Sequence, residues 1–321
     1  MSRILITGAT GFVGGHVCRA LRADRHTLSG ATRQKDKGQG PEDIPLYHVP
    51  EIGPDTDWSQ ILAGAEIVVH LAARVHFMKD PAKNPLAEYR RVNEDGTRRL
   101  AECAVQAGVK RFIFVSTVKV NGDESFESPF KETDSADPED AYAVSKWRGE
   151  QALTKIADGS EMEVVILRPP LVYGPGVGGN FLRLLKAVHR RLPLPLGGID
   201  NSRSFLGVEN LASAIALCAT HADAAGEIFL VSDNQDISTP DLIRLISASM
   251  GQKPNIWNLP LGVLRLAGLL TGKSAAINRL TGSLVVNSRK IRVNLGWSPP
   301  VTLADGLQDA ANWYQKSLSG K

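Results

Sequence analysis

The chain has 321 residues, 43% of them hydrophobic and 22% charged, a composition that fits a soluble globular fold with one large core or two modest ones. Its formal net charge of +3, with no long lysine or arginine tract, argues against a nucleic-acid partner. The longest apolar run near the C-terminus, "LPLGVLRLAGLL" (259–270), is too short to span a bilayer and contains Arg265, so no membrane partner is expected. The opening "MSRILITG" lacks the apolar region and cleavage site of a signal peptide, and Cys18, Cys103 and Cys218 show no metal spacing. A cytoplasmic protein with reduced thiols and no metal is expected.

In chain order, "RILIT" (3–7) reads as a buried strand and 12–23 as a helix, followed by a second strand at "TLSGATR" (27–33). "EIVVHLAA" (66–73) reads as a strand, and 86–108 as one long helix with Leu86, Tyr89, Asn93, Thr97, Leu100 and Ala104 along a stripe. "RFIFVST" (111–117) is a strand, 141–150 lies in a helix, and "EVVILRP" (163–169) is again a strand. Repeated strand–helix–strand order with continuous apolar strands predicts a doubly wound α/β fold with a parallel sheet. After Pro169 proline and glycine cluster, a helix is predicted over 180–191, and "GEIFLVSD" (226–233) reads as a late return to the sheet. The boundaries expected are 1–173 for a dinucleotide-binding domain, rejoined at about 204–232. A substrate-binding region takes 174–203 and 233–321.

"TGATGFVG" (7–14) joins the first strand to the first helix. Its Gly8, Gly11 and Gly14 suit a tight turn that lets backbone N–H groups meet a pyrophosphate. Where an acid ending the second strand would bind a free ribose 2′-hydroxyl, this chain has Arg33, with Lys35 close by. A cation there pairs with a 2′-phosphate, which favours NADP over NAD; the bland alternative is that Arg33 only stacks on adenine.

In "AYAVSKWRGE" (141–150), Tyr142 and Lys146 stand four apart and share a helix face. A free phenol has a pKa of about 10, so roughly one in a thousand is ionised at neutral pH. An ammonium and an oxidised nicotinamide nearby would favour the phenolate, giving a general base for a sugar hydroxyl or, in reverse, a proton donor to a carbonyl. Ser116 or Thr117, ending the preceding strand, supplies a hydroxyl for the same oxygen.

Taken together, "TGATGFVG", "HLAA" (70–73), "VNEDGT" (92–97), "VST" (115–117), "YAVSK" (142–146), "LRPPLVYGPG" (167–176), "RSFLGVENLA" (203–212) and "LGWSPP" (295–300) resemble the extended short-chain dehydrogenase/reductases, the NAD-dependent epimerase/dehydratase family. The resemblance is nearest to its bacterial UDP-glucose 4-epimerase-like and UDP-4-keto-6-deoxy-hexosamine 4-reductase members. It implies a Rossmann-type sheet with a smaller mixed α/β substrate region, a bound NAD(P), a UDP-sugar substrate and a homodimer built on the helices around 86–107 and 140–157. Tyr142 would be the acid/base, Lys146 its ribose-binding partner, and Thr117 the ligand of the substrate C4 oxygen. The implied cofactor contacts are Gly8, Thr10, Gly11, Phe12, Val13, Gly14, Arg33, Glu51, Ile52, Leu71, Ala72, Ala73, Asn93, Val115, Ser116 and Pro169. Asn93 would also support the active-site helix. Asn180, Arg203 and Arg279 would meet the substrate diphosphate.

Three departures bear on the reaction. Dehydratases of this family carry an Asp-Glu pair after the active-site threonine; here Val118-Lys119 stands there. Asn121 and Leu171 replace residues usual in the two "VYG" motifs. A UDP-4-keto-sugar 4-reductase of surface-polysaccharide synthesis is the leading expectation. A UDP-sugar 4-epimerase with tightly held NAD is the alternative, and a non-catalytic dinucleotide sensor a remote one.

Overall fold

The computed structural model describes residues 1–34, 38–75, 84–125, 128–272 and 274–319; Lys35 lies outside them. The order is β1 (Arg3–Thr7), α1 (Phe12–Ala23), β2 (Thr27–Thr32), β3 (Leu46–His48), β4 (Ile67–His70), α2 (Pro85–Arg90), α3 (Gly96–Gln106), β5 (Arg111–Val115), α4 (Ala141–Asp158) and β6 (Glu163–Arg168). Then come β7 (Leu171–Tyr173), α5 (Gly179–His189), β8 (Phe205–Gly207), α6 (Val208–Thr220), β9 (Ile228–Leu230), α7 (Thr239–Ser249), α8 (Leu261–Leu270), α9 (Ser274–Thr281), α10 (Arg289–Leu295) and α11 (Leu303–Ser319).

Seven strands form one sheet in the order β3-β2-β1-β4-β5-β6-β9, and every pairing is parallel. The order reverses beside β1, which places a crevice at the C-terminal ends of β1 and β4. Both faces are covered, which is why β1, β4, β5 and β6 carry continuous apolar runs. On one face Val17, Cys18 and Leu21 of α1 meet Ile215 and Cys218 of α6; on the other Leu100 and Ala104 of α3 meet Leu153 of α4. Burial pushes the Cys18 and Cys218 thiols up to about 12, so neither is a nucleophile.

Several details differ from the sequence reading. β3 has only three residues, with Tyr47 and His48 exposed, too short and too polar for an apolar pattern. β7 and β8 pair in parallel as a separate two-stranded sheet. β4 ends at His70, because the Leu71 and Ala72 amides turn in to bond the Thr7 carbonyl (3.2 Å) and Thr7 Oγ1 (3.3 Å). The helix expected over 86–108 is split: a π turn at Arg91–Asp95 separates α2 from α3. Isolated π turns of this kind cluster at functional sites.

Beyond β9 a second core gathers Phe181 and Leu185 of α5, Ile246 of α7 and Leu307 of α11 around Tyr173. The Tyr173 hydroxyl donates to Asp233 (2.8 Å), whose other oxygen accepts from the Gly207 amide and from Asn210. Asn210 also ties down Val301 through both its amide and its carbonyl. The "VYG" and "GVENLA" motifs thus meet in a buried polar junction between the sheet and the C-terminal region.

Candidate active site

The site starts at the β1–α1 turn. Gly8 has φ +73°, and a Cβ there would lie 2.9 Å from the Ala72 amide; at Gly14 it would lie 2.2 Å from the Gly8 carbonyl. Only glycine admits this turn and the close pass of the Leu71–Ala73 strand exit over it. The Gly11 amide bonds the Gly8 carbonyl at 2.9 Å, and α1 opens with no side-chain cap and no acid in its first turn. Its first N–H groups are therefore available to an anion, and the cradle suits a dinucleotide pyrophosphate. Thr10 and Gly11 are exposed, with Phe12 and Val13 half-buried behind them.

The residues expected to handle protons lie at the other side of the crevice, where β5 runs out through Val115 into Ser116 and Thr117. Ser116 is buried, its amide bonds Leu167 at 2.7 Å, and its hydroxyl has no hydrogen-bond partner among the described residues. Such an orphan is costly unless a bound molecule satisfies it. Thr117 caps a short 3-10 turn at Val118–Val120, accepting from the Lys119 amide at 3.3 Å, which leaves its own proton free to donate. Pro169 closes this edge by accepting from the Val118 amide at 2.9 Å.

α4 carries Tyr142 and Lys146 on one face, and a chain of hydrogen bonds sets its position. Asn93, in the π turn, donates to Ser145 Oγ (3.0 Å), which donates to the Tyr142 carbonyl (2.7 Å); Asn93 also grips the Arg74 backbone on both sides. Gly149 permits this contact, since a Cβ there would come 2.7 Å from the Asn93 carbonyl. Lys146 is 2% exposed, with Nζ 3.8 Å from the Phe114 ring centre. Burial lowers it to about 7, opposed by Glu150 one turn on. Glu150 is itself held bidentate by buried Arg168, whose guanidinium also donates to Asn121 at 3.1 Å. Asn121 is thus buried bracing, facing Arg168.

The Tyr142 phenol is raised well above its ordinary value, first by burial and then by the Asp140 and Tyr89 charges. Without a nicotinamide beside it, burial is the largest influence on this phenol. A feature missed in the sequence lies beside it. Lys119, standing where dehydratases carry an acid, forms ion pairs with Asp123 (2.8 Å) and with Asp140. Asp140 caps α4 by accepting from Ala143 at 2.7 Å. The pairing joins the turn begun by Thr117 to the start of the Tyr142 helix. A polar residue two before the tyrosine was the only hint of this cap in the sequence. Buried His70 closes the floor, its Nδ1 at 2.6 Å from Thr7 Oγ1 and its Nε2 at 3.0 Å from Thr97 Oγ1; burial brings it down to about 3, so it is neutral.

The remaining residues spread around this centre. Arg33 is exposed just past β2. Glu51 is exposed and bonded by Arg91 at 2.9 Å, while Ile52 packs against Gly96. Asn180 is exposed near the start of α5, and Leu171 is exposed at the start of β7. Arg203 is half-buried; its Nη1 donates to the Gly282 carbonyl at 2.8 Å, and burial lowers its guanidinium while the Glu124 and Asp123 charges oppose that. Arg279 is exposed on α9, three residues before Gly282.

A parallel sheet with a glycine cradle at its first turn, and Thr117, Tyr142 and Lys146 across the crevice, fits a dinucleotide-dependent enzyme. The family described as NAD dependent epimerase/dehydratase matches residues 4–232, and the chain belongs to it. A Vibrio cholerae protein named UDP-glucose 4-epimerase is 42% identical over 317 residues, covering 97% of this chain and 95% of its own. An Escherichia coli O157:H7 protein named N-acetyl-alpha-D-glucosaminyl-diphospho-ditrans,octacis-undecaprenol 4-epimerase is 27% identical.

 The latter match spans 318 residues, which is 95% of this chain and 92% of that protein. The crystal structure of a Bacillus cereus UDP-glucuronic acid 4-epimerase in complex with NAD superposes with a TM-score of 0.79 at 23% identity, over 98% of this chain and 99% of that one.

Proposed function

We propose that the enzyme reduces a UDP-4-keto-sugar at C4, using NADPH in preference to NADH, in the synthesis of surface polysaccharide. The observation that carries this reading is the turn after Thr117. Val118 is buried and Lys119 is engaged by two aspartates, so that turn offers no acid to expel a C6 hydroxyl, and chemistry stays at C4. The nicotinamide, when bound, supplies the hydride that reaches C4. Thr117 donates a hydrogen bond to the C4 oxygen, and Tyr142 delivers the proton that completes the hydroxyl. A phenol held protonated by burial is suited to that donation. An exposed Arg33 just past β2, where a cation pairs with a 2′-phosphate, supports the preference for NADPH.

A 4-epimerase that keeps NAD bound is the second reading, favoured by the 42% identity to the Vibrio cholerae protein of that name. Purified protein distinguishes the two. The expected result is loss of cofactor on dialysis and stoichiometric oxidation of NADPH with a UDP-4-keto-6-deoxy-hexosamine, abolished in Tyr142→Phe. Bound NAD that survives dialysis, with UDP-glucose and UDP-galactose interconverted and no net cofactor consumed, establishes the epimerase instead.

A further inference from the structure

The run at 259–270 that is too short to cross a bilayer folds as α8, and most of its apolar side chains face outward. Leu264 and Gly268 are buried, and Gly268 packs so closely on α9 that a Cβ would lie 2.5 Å from Ile277 Cδ1. On the outer surface Val263, Leu266, Leu269 and Leu270 are 49%, 56%, 71% and 78% exposed. Single exposed leucines are ordinary, but four large apolar side chains on one ten-residue helix form a patch that marks an interaction surface.

The charge around the patch says what covers it. From 242 to 304 the sequence has eight lysines and arginines and no aspartate or glutamate; Arg265, Lys273 and Arg279 fall in the α8–α9 stretch, while Arg244 pairs with Asp241 and Lys290 with Glu227. Arg265 on α8 and Arg279 on α9 are exposed, and neither forms an ion pair among the described residues. A second copy docking on the same face would bring these cations against their equals. An anionic lipid surface neutralises them while accepting the leucines.

We propose that the α8–α9 hairpin is a contact with an anionic membrane surface, with Leu266, Leu269 and Leu270 entering the boundary between headgroups and acyl chains and Arg265 reaching lipid phosphates. Among the described residues no helix is long and apolar enough to cross a membrane, and a helix lying in the interface needs no such length. The contact also has a position relative to the cleft. α9 ends at Thr281, and the next residue, Gly282, accepts from Arg203. A docked hairpin therefore holds the Arg203 side of the cleft close to the bilayer surface, whichever reaction the crevice performs.

The test is co-sedimentation of the full chain with vesicles of phosphatidylcholine alone or mixed with phosphatidylglycerol, at low and high salt. The wild type is expected to pellet with the mixed vesicles, about tenfold more strongly than with neutral ones, and to be released by salt. A Leu269→Gln/Leu270→Gln variant is expected to bind at least about tenfold more weakly, with unchanged melting temperature and unchanged turnover of soluble substrate. Arg265→Gln is expected to weaken binding to the mixed vesicles alone. Wild type that stays in the supernatant with mixed vesicles overturns the proposal, as does equal binding by the leucine variant. A leucine variant that falls from dimer to monomer by light scattering also overturns it, because the face then joins two copies.

Discussion

An ammonium buried like that of Lys146 lowers stability wherever it remains charged, and this sets a signed pH dependence. The side chain titrates near 7 when folded and near 10.5 when free, so between those values the unfolded chain holds a proton that the folded chain has released. Stability from this group therefore rises with pH across that window, and the penalty is complete below about 7. At about 1.4 kcal/mol per pKa unit, the penalty is on the order of a few kcal/mol. Lys146→Met is expected to raise the melting temperature of the cofactor-free protein at neutral pH, to flatten its rise toward alkaline pH, and to remove turnover. Thermal scans that show the variant no more stable than wild type at pH 7 contradict this account. Lys119 acts on the same centre through Asp140. Removing its charge in Lys119→Met takes that cation away from the Asp140 carboxylate beside Tyr142, and a like charge raises a phenol further. The limb of the pH–rate profile that reports loss of the Tyr142 proton is expected to move to higher pH, with protein fold unchanged by circular dichroism. An unmoved limb assigns Lys119 a purely structural place.

At the scale of elements, the π turn and α4 form one device. The turn presents the Asn93 side chain to Ser145 and its carbonyl to the bare surface of Gly149. Gly149→Ala inserts a methyl 2.7 Å from that carbonyl and 3.3 Å from Phe114, so α4 must move away. Overpacking of this kind costs about 1–3 kcal/mol. Because Tyr142 and Lys146 ride on the same helix, turnover is expected to fall along with stability. Calorimetry and steady-state rates measured on one preparation check this; full activity at a lowered melting temperature separates the helix position from the chemistry. The outer face of α4 bears on the homodimer expected from the sequence. Leu153 is fully buried in the sheet-side core with Leu100 and Ala104, so only half-buried Trp147 and Ala152 remain outward.

Across the whole molecule, the cleft depends on groups from distant parts of the chain. Arg203, oriented by Gly282 of the C-terminal region, is proposed to hold the substrate diphosphate, whose charge is the same before and during reaction. Losing such a contact removes uniform binding. Arg203→Ala is expected to raise KM by about 10- to 150-fold, from roughly 1.5–3 kcal/mol, with kcat little changed. A preserved KM with lost kcat shows that Arg203 serves another role. We also propose a homodimer through α3 and α4, whose outer faces would form a four-helix bundle. Light scattering at micromolar concentration is expected to give twice the monomer mass, and a strict monomer excludes it.

The sequence by itself determined the α/β class, the parallel strands and the first-turn glycines. These are local signals: apolar runs reflect burial on both faces, and Gly8 reflects a backbone angle other residues avoid. It also placed Tyr142 and Lys146 on one face, since four-residue spacing fixes that within any helix. Tertiary structure alone decided the rest. The order β3-β2-β1-β4-β5-β6-β9, the pairing of β7 with β8 and the Lys119–Asp140 link join separate parts of the chain, and the π turn carries Asn93 to Arg74 and Ser145. The directions in which Tyr142 and Lys146 shift belong to the same class, because desolvation depends on what packs around a group in three dimensions, and spacing along the chain carries no record of it.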